Sequence, residues 1–149
     1  MTIRVNGLLA GALLGGFLIG ACGGGEDRLT REEFVAQANA VCTASNQRVE
    51  QAAAAAFSTL AEGQQPSREE MQAFIDILTT EVEDQLSDLR ALAPPEDMQA
   101  QIDALLAEVQ RALDEIKTKE PEQVLLSGED PFAEASRLAG AAGLDACAE

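Results

Sequence analysis

The sequence predicts an all-α fold, an up-and-down bundle of three long helices plus a short C-terminal helix stapled by a disulfide. Three observations predict it. From Thr30 onward apolar residues recur at spacings of three, four or their sums, and no strand-period segment of comparable length appears. Proline and glycine clusters interrupt this pattern only at short connections, which favour antiparallel neighbours. Two cysteines, Cys42 and Cys147, stand near the two ends of the patterned region.

The first helix opens with "TREE", a capping box in which the Thr30 hydroxyl and the Glu33 carboxylate satisfy free amides. Its stripe is Phe34, Ala38, Val41, Val49, Ala52, Ala56 and Leu60, with Gly63 as terminator. "PSREE" repeats the device with Ser67 and Glu70. A second stripe then runs through Met71, Phe74, Ile75, Leu78, Val82, Leu86 and Leu89 to Ala93, where Pro94 and Pro95 break it. Pro95 suits the first turn of a third helix, whose stripe is Met98, Ile102, Leu105, Leu106, Val109, Leu113 and Ile116, ending before Pro121. "PEQVLL" adds one turn. Asp130 and Pro131 read as the cap and first turn of the last helix, through Phe132, Ala135, Leu138 and Ala139, with Gly140 and Gly143 fraying its end.

Composition removes whole classes of function. The 149 residues suffice for one ordinary domain and contain no His, Trp or Tyr. Lacking His, the chain lacks the commonest general base and zinc ligand, and its serines cannot form the familiar triad. There is no glycine-rich phosphate loop, CxxC pair or repeat. No catalytic residue, metal ligand or cofactor is assigned, and the chain is not expected to be an enzyme. With 10 Lys and Arg against 26 Asp and Glu, the charge of −16 repels phosphate backbones, so nucleic acid is not an expected partner. Anionic lipid headgroups are repelled too, and membrane attachment has to come from something other than a basic patch.

The first 22 residues carry the pattern expected of such an attachment. Arg4 and the terminal amine form a small positive region, "LLAGALLGGFLI" (Leu8 to Ile19) an apolar one, and Gly20 and Ala21 are small residues before Cys22, the layout of an export signal. A transmembrane helix is the alternative, but the apolar run is shorter than the roughly 20 residues a bilayer needs and is interrupted by glycines. "LIGAC" resembles the lipobox of bacterial lipoproteins. The resemblance implies that Ile19, Gly20 and Ala21 are recognition residues, that the Cys22 thiol receives a diacylglycerol, and that the signal is cut just before it. Gly20 departs mildly from that family's usual choice. The expected organisation is a lipoprotein signal peptide over 1–21, a lipidated cysteine and flexible tether over 22–29, and the helical bundle over 30–149. Each buried methylene contributes roughly 0.8 kcal/mol, so one acyl chain holds reversibly whereas two anchor stably. Cleavage also removes Arg4, leaving 9 basic side chains against 26 acidic ones, a charge of −17.

With Cys22 assigned to lipid, Cys42 and Cys147 are the remaining thiols of an exported domain, where disulfides persist. Three helices leave the chain at the end of the bundle opposite the anchor, roughly 30 Å from Cys42 at 1.5 Å per residue. The 27 residues from Glu120 to Ala146 cover the descent. Two unpaired thiols are the alternative. The chain also loosely resembles small alanine-rich lipoproteins of actinobacterium-like genomes, on "ANAVC" (Ala38 to Cys42) and "GLDACA" (Gly143 to Ala148). That resemblance implies the disulfide and the bundle, and no activity.

Three features compete as sites. Glu81, Asp84 and Asp88 share a helix face near Arg90, fit for calcium or acid–base work, or else simply the wet side of an amphipathic helix. Ser127, Glu129 and Asp130 put several oxygens in one connection, where helix capping is the cheaper explanation. "AAAAAF" (Ala52 to Phe57) offers a thin face for an apolar ligand or partner helix, or reflects alanine's helix propensity. The expected role is a lipid-anchored domain outside the cytoplasmic membrane that binds a protein or envelope component. The alternative is a carrier of a small apolar ligand or divalent cation.

Overall fold

The computed structural model describes residues 28–58, 60–61 and 64–148. The signal region, Ile19, Gly20, Ala21, Cys22 and Gly63 lie outside the described residues. Within them the secondary structure is helical throughout: α1 (Arg31–Ala56), α2 (Arg68–Ala91), α3 (Gln99–Ile116), a single turn α4 (Pro121–Leu125), α5 (Ala133–Ala141), and a closing 3₁₀ turn (Asp145–Cys147). Among the described residues no helix is long and apolar enough to cross a membrane.

Both capping boxes form. Thr30 Oγ1 accepts the Glu33 N–H at 3.2 Å, and Glu33 Oε2 accepts the Thr30 N–H at 3.0 Å. Ser67 and Glu70 repeat this at 3.2 and 2.7 Å. These bonds favour the ionised carboxylates and hold both below the ordinary carboxyl range. For Glu33 the backbone of Thr30 is the main cause, for Glu70 the hydroxyl of Ser67. Thr30→Ala and Ser67→Ala should each cost about 1 kcal/mol at pH 7 by urea unfolding. Because the folded pKa values lie below the unfolded value of 4.5, the carboxylates' contribution is complete above that value and disappears as pH falls through the lowered ones. The penalty of each substitution should therefore shrink as pH falls through the lowered values. A penalty that stays constant until both carboxyls are fully protonated would contradict this.

Three helix boundaries differ from those expected. The first helix ends at Ala56 instead of continuing to Leu60, with the Phe57 ring turned 5.3 Å from that of Phe74. The third starts at Gln99, because residues 95–98 form a turn closed by Met98 N–H to the Pro95 carbonyl at 3.0 Å, and Met98 has no side-chain acceptor to offer a cap. The last starts at Ala133. Asp130 Oδ1 accepts the Phe132 N–H at 2.8 Å, spending its capping capacity on a turn ahead of the helix. That helix does not fray at its glycines. Gly140 lies inside it, and Gly143, at φ +77°, ends it with paired bonds: Gly143 N–H to the Gly140 carbonyl at 3.1 Å and Leu144 N–H to the Ala139 carbonyl at 2.9 Å. This is the Schellman arrangement, in which glycine bears the left-handed residue without a Cβ clash, and both Leu144 and Ala139 are buried beneath it.

Helix direction follows from cross-contacts. Along α1, Leu29, Ser45 and Phe57 meet Ala93, Glu81 and Phe74 in turn, so α2 runs antiparallel to α1. Arg90 to Gln110 and Glu83 to Lys117 give the same sense for α2 and α3. α5 returns along α3, and the 3₁₀ turn lies against α1. One core joins Phe34, Ala38 and Cys42 of α1 to Leu89, Met98, Ile102 and Leu105, and then to Ala135, Ala139, Ala142 and Leu144. The alanines of α5 are what let so short a helix approach closely. Arg28 and Leu29, expected at the end of a free tether, are instead held at the α2–α3 junction: Leu29 N–H reaches the Ala93 carbonyl at 3.0 Å, and Arg28 Nη1 the Pro94 carbonyl at 3.1 Å.

Candidate functional site

The C-terminal turn is fastened to α1 by three residues on one face. Cys42 and Cys147 are joined by a disulfide with a Cα–Cα distance of 5.1 Å. Asn39 Oδ1 accepts the Ala146 N–H at 2.9 Å, and Asn46 Nδ2 donates to the Ala146 carbonyl at 2.8 Å. Asn39 and Asn46 are two helical turns apart with Cys42 between them, so all three point the same way. Asparagine is a poor residue for a helix interior, and these two are used for tertiary contact.

Beside this fastening lies a cleft of about 330 Å³, bounded by α1, α2, α3 and the segment entering α5. Val49, Leu78, Val82, Val109, Phe132 and Ala135 supply its apolar walls. Ser45, Asn46, Glu50, Gln85, Asp130 and Ser136 supply its polar atoms, and Cys147 borders it. Val49, Leu78, Val82 and Val109 belong to the apolar stripes, yet they are only half-buried. The gap between the helices is the reason: these side chains face a shared space instead of one another. The volume lies at the small end of the roughly 300–1,000 Å³ range of small-molecule sites.

The other candidate features resolve differently. Glu81 turns across to Arg48 of α1 in an ion pair that raises the pKa of the guanidinium, chiefly through their hydrogen bond, whereas Asp84 and Asp88 are exposed. Arg90 donates to Gln110 Oε1 at 3.2 Å and not to these carboxylates. Ser127 Oγ accepts the Glu129 N–H at 3.2 Å, so both that hydroxyl and the Asp130 carboxylate serve local turns. Among the described residues no three His, Cys, Asp or Glu side chains gather as a metal ion requires. The alanine run at 52–56 borders no part of the cleft, which opens one to two turns earlier on α1.

The spacing of the apolar stripes does not distinguish a cleft from a closed core, and no motif marks Asn46, Glu50 or Gln85. One signal was present. An asparagine at helix position i+7 from Asn39, on the face that carries Cys42, marks that face for polar tertiary contact. Comparison with known protein families, curated proteins and solved structures returns no match to this chain.

Proposed function

We propose that this chain is a lipid-anchored, non-enzymatic binding module on the extracytoplasmic face of the cell membrane. On this reading it is an up-and-down bundle of three long helices, its short C-terminal helix stapled by a disulfide, tethered through a diacylated Cys22. The observation that carries the binding role is the cleft, around which apolar stripe residues stand half-open instead of closing a core. Its occupant is a small ligand with an apolar body. A protein or other envelope component is the broader alternative. The succession of positive region, apolar region and "LIGAC" supports the address, as does a disulfide, which belongs to an oxidising compartment.

Cys22→Ser should move the protein out of the membrane fraction, and intact mass analysis of the wild type should find residues 1–21 absent and a diacylglycerol on the sulfur. A bare thiol, or a retained signal, would overturn the address. Native mass spectrometry of the anchored protein tests the binding role. A co-purified small molecule supports the cleft, whereas in-cell cross-links to a neighbouring protein without one transfer the role to an envelope partner.

A further inference from the structure

The polar atoms around the cleft are sorted by direction. Asn46 gives its amide N–H to the Ala146 carbonyl, which can only accept, and so the amide oxygen is left over. Gln85 gives its amide N–H to Cys42 Sγ at 3.0 Å, leaving its oxygen as well. The Ser45 hydroxyl is directed to the Glu81 carbonyl at 3.4 Å. Asn46 Oδ1, Gln85 Oε1, the Glu50 carboxylate and Asp130 Oδ2 make no hydrogen bond among the described residues. Among the described residues no Lys or Arg lines the space. The cleft therefore offers unused acceptors above apolar walls; one N–H of each lining amide is committed internally, and the Glu50 and Asp130 carboxylates make the net charge of its lining negative.

We propose that the cleft takes an amphipathic organic cation, a substituted ammonium on a compact apolar body. This rests on the reading of the cleft as a ligand site and names the class of its ligand. Val49, Leu78, Val82 and Phe132 cover the body, and the ammonium, with at most three N–H groups, donates to oxygens among those of Asn46, Gln85, Glu50 and Asp130, whose two carboxylates oppose its charge. An anionic headgroup would meet two like charges and unpaired acceptors, and a diacyl lipid exceeds about 330 Å³.

The test uses the full chain, purified from the membrane and held in zwitterionic lipid nanodiscs, with protein-free nanodiscs as the blank. Three probes with closely similar bodies are titrated calorimetrically: 2-phenylethylammonium, 2-phenylethanol and 3-phenylpropionate. The ammonium should bind at least tenfold more tightly than the other two. Glu50→Gln with Asp130→Asn should remove that preference; both are foldable, since Glu50 is exposed and asparagine retains the acceptor for the Phe132 N–H. The domain's overall negative charge attracts any cation, so Glu32→Gln with Glu96→Gln, exposed charges far from the cleft, is the matched control and should retain the preference. Equal binding of all three probes would overturn the cationic ligand and leave the apolar cleft standing. An equal loss in the control pair would also overturn it, assigning the preference to net charge. Binding of none would overturn the cleft reading itself.

Discussion

Cys147→Ser is expected to lower the thermal midpoint by roughly 15 to 20 °C and to free residues 133–148 while α1 to α3 stay folded at low temperature. The bond closes a separation of 105 residues. Loop-closure entropy for a ring of that size corresponds to about 4 to 5 kcal/mol, a large share of the 5 to 15 kcal/mol available to a domain. Apart from Leu144, the segment it holds buries little of its own. α5 is nine residues long, and its buried face consists of alanines, whose methyl groups remove little area from water. The Asn39 and Asn46 bonds would persist only while the turn stays in place. Amide exchange under non-reducing conditions is the check: the largest acceleration is expected over 133–148, and exchange matching the wild type there would refute it. Reduced wild-type protein should behave like the variant.

Phe34→Ala should cost about 3 to 5 kcal/mol in urea unfolding, the range for removing a buried aromatic ring. Phe34 is 1% exposed in the first turns of α1, in the cluster that includes Leu89, Met98 and Ile102. It thus joins three helices at the end of the domain where α1 begins. Arg31→Ala, one turn earlier, should change stability far less, because the Arg31 to Asp97 pair at 2.8 Å is more than half exposed on both sides. Comparable losses for the two would show that surface ionic contacts, not ring burial, hold this end together.

These expectations rest on features of unequal legibility. The starts at Thr30 and Ser67 were readable because a capping box is local chemistry, decided within four residues. The apolar stripes of α2 and α3 were readable because periodicity reports burial directly. The starts of α3 and α5 were displaced because their polar or prolyl residues had two uses. Asp130 can cap a helix or close a turn before it, and the Pro94–Pro95 pair can begin a helix or hold a turn; only the packing of Met98 and Phe132 decides. The cleft was not readable at all. Leu78, Val82, Val49 and Val109 have the spacing of core residues, and nothing in one helix reveals that four elements fail to close around them. The Cys42–Cys147 pairing lay between these cases, because counting thiols proposed it and the return of α5 was needed to bring the atoms together.

The same bond has a topological consequence. Everything from residue 42 to residue 147 belongs to one covalent ring, including the exposed connector residues Ala61, Gln64 and Gln65. A protease that cuts there severs the backbone but yields no smaller fragments until reductant is added. Both halves stay joined to residues 28–41, so a nick in the connector does not release the C-terminal half as it would without the bond.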